Sequence, residues 1–188
     1  MKSRAEIAPY SGRLGVQLYT VRSLFEADFA TTLTALAKTG FKDCETAGYF
    51  AHDPRDVRLA LDDLGLTSKA GHIRFEELRD GFDRQLEIAS IMGQKSLYLG
   101  WISPDERRID KYRALADLLN LRGEQARQSG IQLGYHNHDF EFEIIDGLRG
   151  YDILLDRTEA RLVAMEIDFY WAAQAGMVFG ALRDRMPG

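Results

Sequence analysis

Residues Leu14–Asp28 read LGVQLYTVRSLFEAD. Leu14, Val16 and Leu18 alternate with Gly15, Gln17 and Tyr19, and a period of two marks a strand. The turn after that strand decides between two architectures. An open, doubly wound sheet that binds a nucleotide carries a glycine-rich turn there, so that the backbone can approach a phosphate. Residues 18–28 contain no glycine, and no glycine-based phosphate loop occurs elsewhere in the sequence. The strand instead presents Gln17 and Tyr19 at its C-terminal end.

The same alternation of strand and helix recurs along the chain. A helix is expected from Asp28, as its N-cap, to Lys38, with Gly40 as the stop. Further strands are expected at Phe41–Ala47, Leu66–Ile73, Lys95–Trp101, Gly130–Ile144 and Leu162–Tyr170. Helices are expected at Asp53–Gly65, Phe82–Met92, Asp110–Ser129 and Gly150–Arg157, with a last one in the tail Gly176–Gly188. Six βα units of about 30 residues result, and parallel strands need such helical crossovers. Polar and aromatic residues gather at several strand ends: Gln17 and Tyr19, Glu45, His72, Trp101, His136 and His138, and Asp168. A closed (β/α)8 barrel builds its site from the ends of many strands, whereas an open sheet uses one switch point. The barrel is therefore the expected fold class, here with about six of its units.

The pleat supports this reading. Val163, Met165 and Ile167 share one face of the sixth strand; Ala164, Glu166 and Asp168 share the other. In the fifth strand Ile131, Leu133 and Tyr135 oppose Gln132, Gly134, His136 and His138. The apolar sets suit outer helices, and the small or polar sets suit a barrel interior.

Composition excludes several classes. The chain has 188 residues, 45% hydrophobic and 28% charged, enough for one domain with a sizeable core. No linker or low-complexity tract divides it, so a single domain over residues 1–188 is expected. The net charge is −5, with signs mixed along the chain, which argues against a surface built for nucleic acid. One cysteine, Cys44, allows no intrachain disulfide and fits a reducing compartment; it reads as a packed strand residue. There is no signal-peptide core and no apolar run of membrane-spanning length. A cytoplasmic protein without membrane contact is expected.

His136 and His138 are two apart on a strand, with Glu141 just beyond and Asp168 ending the neighbouring strand. Two imidazoles and two carboxylates at adjacent strand ends suit a divalent metal, Mn²⁺, Co²⁺, Fe²⁺ or Zn²⁺ with mixed ligands, Mg²⁺ or Mn²⁺ where carboxylates dominate. The simpler reading of a lone rim histidine is a hydrogen-bonded structural group, and His52 in YFAHDPRD reads as a loop or capping residue. Glu166 faces inward below the rim and needs a partner there, for which Lys69 or an arginine is available. Trp101, Tyr170 and Trp171 read either as packing or as a wall for a sugar, whose C–H faces stack on aromatic rings.

The stretches LGVQLYTVR, GYHNHDFEF and MEIDFYWAAQAG resemble the xylose isomerase-like TIM-barrel family, and within it the sugar phosphate isomerase/epimerase branch. The resemblance covers the chain in order. It implies a divalent metal at the C-terminal rim, with Asp168 as the sixth-strand ligand and His136 and Glu141 as fifth-strand candidates. It implies a small sugar or keto-sugar substrate and proton abstraction beside a carbonyl through a metal-bound enediolate. The outcome is isomerisation, epimerisation or dehydration. Glu141, with His138, is the expected acid–base group. Gln17, Tyr19, Arg22, Glu45, His72, Trp101, Tyr170 and Trp171 are the expected substrate-facing set. The family pattern continues into a seventh strand with a metal-binding histidine and an eighth with a glutamate, neither of which is in this sequence. Eight units need about 250 residues. An incomplete barrel is thus expected, with open edges at its first and sixth strands that favour association into a homo-oligomer. The alternative to an enzyme is such a barrel acting only in binding or assembly. Phosphodiester cleavage of the endonuclease IV kind is disfavoured by the acidic balance.

Overall fold

A computed structural model describes residues 14–178 together with Gly180 and Leu182. The chain opens with β1 (Gly15–Gln17), a 3-10 turn at Leu18–Val21, α1 (Arg22–Ala27) and α2 (Phe29–Lys38). It continues through β2 (Asp43–Ala47), α3 (Pro54–Asp63), β3 (Thr67–Ile73), α4 (Phe75–Asp80), α5 (Phe82–Met92) and β4 (Ser96–Leu99). Then come α6 (Ile109–Gln128), β5 (Gln132–His136), a hairpin of β6 (Ile144–Ile145) and β7 (Leu148–Arg149), α7 (Gly150–Arg157), β8 (Val163–Glu166) and α8 (Phe169–Gln174).

Six strands form one parallel sheet in the order β1-β2-β3-β4-β5-β8. Each strand pairs with the next in the barrel sequence, and helices cover one face. Among the described residues β1 and β8 do not pair with each other, so the barrel is not closed.

Local chemistry accounts for the helix boundaries. Asp28 caps α2 by accepting the Thr31 N–H at 3.0 Å, and Asp53 caps α3 from Arg55 at 2.8 Å with Pro54 in the first helical position. α5 stops at Gly93, whose φ of 70° closes the helix end. Burial of the Cys44 side chain in the core raises its thiol to about 11, the behaviour of a packed cysteine.

The strands are shorter than the sequence pattern suggests: β1, expected over Leu14–Thr20, gives way at Leu18 to the 3-10 turn that carries Tyr19, β4 covers only Ser96–Leu99 of the expected Lys95–Trp101, and β5 and β8 stop early for identifiable reasons. β5 ends at His136, because Asp139–Glu143 turns back on itself: Asp139 and Phe140 carbonyls accept the Phe142 and Glu143 N–H groups. β8 ends at Glu166, because Asp168 caps α8 by accepting the Trp171 N–H at 2.9 Å. Tyr170 and Trp171 are thus helical rather than strand residues. The helix expected in the tail from Gly176 lies largely outside the described residues.

The helix-side core has two main parts. One gathers Leu18, Phe25, Leu33, Cys44, Val57, Leu61, Leu66 and Met92 beneath β1–β3. The larger packs α4–α7 against β3–β8 and includes Leu97, Leu99, Leu133, Tyr135 and Val163. Strand residues therefore alternate between a dry helix side and a half-buried inner side, as in the pattern of β2 and β4. One irregularity interrupts this order. Asp43 pairs with Thr67, but Glu45 pairs with Ala70, so β3 carries one extra residue between them.

Candidate metal centre

The inner face brings polar side chains from five strands together. Gln17 lies level with Glu45, Ala47 with His72, and His136 with Glu166. Gln17 Nε2 donates to Glu45 Oε1 at 2.8 Å. His72 Nε2 lies 3.0 Å from that same Glu45 oxygen and 2.9 Å from Glu166 Oε2. His136 Nδ1 lies 3.0 Å from Glu166 Oε2. Ligand atoms of His72, His136 and Glu166 all fall within 4.8 Å of one another.

Small residues make room for this cluster. A Cβ on Gly100 would lie 2.4 Å from His72 Nδ1, and one on Gly134 would lie 2.5 Å from the Tyr98 ring. The His72 imidazole therefore sits against bare backbone on one edge and turns its Nε2 to the carboxylates. The rings of His72 and His136 are 4.7 Å apart, centroid to centroid.

The electrostatics follow from these contacts. Burial works against a charged His72, but hydrogen bonds to Glu166 and Glu45 outweigh it and raise the imidazole to about 9. Burial likewise opposes a charged Glu166, yet hydrogen bonds from His136 and His72 bring its carboxyl down to about 2. One Nε2 position facing two carboxylate oxygens at about 3 Å is occupied by a proton or by a cation. Paired imidazole and carboxylate donors at this spacing match the mixed nitrogen and oxygen ligation of divalent metals.

Asp168 stands at the rim of this group. Its Oδ2 is 3.9 Å from His136 Nε2, while Oδ1 caps α8. His136 thus has a carboxylate at each ring nitrogen.

Glu141 lies elsewhere. It is fully buried on the helix side, where Tyr135 Oη donates to Oε1 at 2.7 Å and the His138 backbone N–H donates to Oε2 at 2.8 Å. Both oxygens are engaged, and burial raises the carboxyl to about 7. The structure does not bring Glu141 to the His72–Glu166–His136 group. His138 is half-buried between the rings of Phe140 (5.4 Å, stacked) and Trp171 (5.3 Å). Burial, then the neighbouring His136, lowers its imidazole to about 4, so it is neutral near pH 7.

The remaining expected residues rim the mouth. Tyr19, Trp101 and Tyr170 are all exposed. Arg22 stacks on the Tyr19 ring at 4.4 Å and donates to the Tyr19 carbonyl. Arg107 lies 3.5 Å over Phe140 and 5.3 Å from the Trp101 ring centre, tying the loops after β4 and β5 together. His52 caps α1, its Nε2 reaching the Phe25 and Glu26 carbonyls at 3.1 Å.

Glu166 is the residue whose importance the sequence understates. The pleat signals that it faces inward and needs a partner, but its partners are histidines on β3 and β5 rather than Lys69 or an arginine. Asn137 carries still less signal. It is fully buried, and the sequence marks it only by its place between two histidines.

No family model matches the sequence, and no curated protein matches it either. Solved structures do. A sugar phosphate isomerase/epimerase from Parabacteroides distasonis superposes with a TM-score of 0.80 at 22% identity, over 96% of this chain and 73% of that one. An AP endonuclease, family 2, from Brucella melitensis gives 0.73 at 16% identity, over 94% and 76%. A xylose isomerase-like TIM barrel protein from Mycobacterium smegmatis, in complex with magnesium, gives 0.64 at 15% identity, over 93% and 70%. The chain therefore shares the fold of the xylose isomerase-like TIM barrels, as an arc of six of their strands.

Proposed function

We propose that the chain is a divalent-metal-dependent enzyme that moves a proton beside the carbonyl of a small sugar or keto-sugar. The observation that carries this reading is the convergence of one ligand atom each of His72, His136 and Glu166 within 4.8 Å of one another. Those three side chains would hold the ion, with Glu45 and Asp168 as flanking carboxylates. The ion supplies Lewis acidity toward a carbonyl oxygen. Glu45, oriented by Gln17, is the carboxylate placed to take a proton, in preference to the engaged Glu141. The rings of His138 and Trp171 form an aromatic wall beside His136, and Trp101 and Tyr170 offer ring faces to a sugar at the mouth. Return of the proton to the opposite face gives epimerisation; to the adjacent carbon, isomerisation.

This reading agrees with the names of fold neighbours that act on sugars or hold magnesium. Metal analysis of the purified chain, followed by turnover assays on a panel of keto-sugars, tests it. Stoichiometric metal with turnover is expected; a chain that binds no divalent ion refutes it. A second reading rests on the open arc of the sheet: the chain binds metal and sugar without turning sugar over. Metal-loaded protein that binds sugars but leaves them unchanged distinguishes the two.

A further inference from the structure

We infer that Asn137 is the positioning residue of this centre: its side chain forms the last rung between β5 and β8 and thereby sets the distance between His136 and Asp168. The inference rests on the metal centre proposed above.

The regular pairing of β5 with β8 ends at His136 and Glu166. One residue further, the main chains part, β5 into a turn and β8 into the cap of α8. Asn137 bridges the gap. Its Oδ1 accepts the Asp168 N–H at 3.0 Å, and its Nδ2 donates to the Asp168 carbonyl at 3.2 Å. A third bond runs from Nδ2 to the His138 carbonyl at 3.2 Å. A primary amide is the one uncharged side-chain group that offers an acceptor and a donor side by side, as a peptide group does. The amide orientation is also fixed, because reversing it would set donor against donor and oxygen against oxygen.

The consequence falls on the site rather than on the sheet. Four residue pairs hold β5 to β8 without Asn137. What Asn137 ties to β5 is the backbone of Asp168, whose carbonyl also accepts the Ala172 N–H of α8 at 3.0 Å and whose carboxylate faces His136 Nε2 while Glu166 faces His136 Nδ1. Releasing that backbone lets the Asp168 carboxylate and the His136 ring drift relative to Glu166. Groups that orient metal ligands in this way typically change metal affinity by about 10- to 100-fold when removed.

The test uses the full chain with Co²⁺ as the probe, comparing the parent with Asn137→Ala, Asn137→Asp and Glu166→Gln. Three quantities are read: Co²⁺ affinity, the visible spectrum of bound Co²⁺, and hydrogen exchange at the Asp168 amide. Asn137→Ala is expected to weaken Co²⁺ by about 10- to 100-fold, to shift its spectrum and to speed Asp168 exchange. Asn137→Asp keeps the acceptor for the Asp168 N–H but sets an anion against the Asp168 carbonyl. It is expected to keep Asp168 exchange slower than in Asn137→Ala yet still to alter the spectrum, and it serves if the alanine variant does not fold. Glu166→Gln is expected to lose Co²⁺ outright. Unchanged affinity and spectrum in both Asn137 variants, with Glu166→Gln silent, overturns the positioning role and leaves the metal centre standing. A parent chain that takes up no Co²⁺ overturns the metal centre itself, and the role of Asn137 with it.

Discussion

Two glutamates, Glu141 fully buried in the turn after β5 and Glu166 half-buried at the end of β8, meet opposite fates. Glu141 lies in the dry helix side among neutral partners, a phenol and a peptide N–H, and its carboxyl rises to about 7. Glu166 lies on the inner side between two imidazoles, and its carboxyl falls to about 2. At Glu141 the bonds from a phenol and a peptide N–H do not offset burial of the charge, whereas at Glu166 two imidazoles, which can themselves carry charge, do. The difference separates a carboxylate that holds a turn from one suited to hold a cation.

The contrast is broken most severely by Glu166→Gln. Divalent metal affinity should fall more than about 100-fold, since a first ligand is removed; equilibrium dialysis with elemental analysis measures it. Glu141→Gln should change that affinity less than about threefold, and a comparable loss in both variants would erase the distinction.

A pH series sharpens the same comparison. His72 holds its proton up to about 9 in the metal-free chain, and a metal must displace that proton to reach Nε2. Affinity should therefore rise by about tenfold per pH unit up to about pH 9 and level off beyond it. Calorimetric titration in buffers of differing ionisation enthalpy gives the proton count. In the metal-free fold the sign reverses for stability: the His72 contribution is full below its ordinary 6.5 and is lost as pH rises through about 9.

Gly100→Ala is the next test in size. A Cβ 2.4 Å from His72 Nδ1 must push the ring from its carboxylates, so metal affinity should drop by about tenfold, with the fold intact by circular dichroism. The helix side gives the smallest effect on binding and a distinct one on stability. Because the Glu141 carboxyl is raised, its protonated form stabilises the fold below about 4.5, and that contribution is lost as pH climbs to about 7. It is on the order of 3 kcal/mol. Urea unfolding across that range should show the loss in the parent and not in Glu141→Gln.

Much of this was legible from residues alone. Alternation in LGVQLYT and LVAMEID assigned inner and outer faces correctly for Gln17 and Glu166, and Asp28, Asp53 and Gly93 marked helix ends where the structure has them. The exact partners were not legible. Sequence distance places Glu141 beside His138, and it is beside it, but through the backbone N–H and on the wrong side of the sheet for the imidazoles. The short helix α4 and the β6–β7 hairpin escaped because segments of two to six residues carry too little periodicity to read. Asn137 escaped because nothing in its spacing announces a bond to Asp168, 31 residues away.

The extra residue in β3 has a consequence for which side of the protein His72 serves. Without it, Glu45 would pair with Lys69 and Ala47 with Gly71, and paired residues of neighbouring strands share a face. Lysine and glycine would then look into the barrel, and the imidazole would be driven among the helices. For this sequence the bulge thus acts as a phase shift: it keeps His72 in the open polar group where an unbroken ladder from Asp43–Thr67 would turn it to the core, and it leaves the rest of the strand in step with β4.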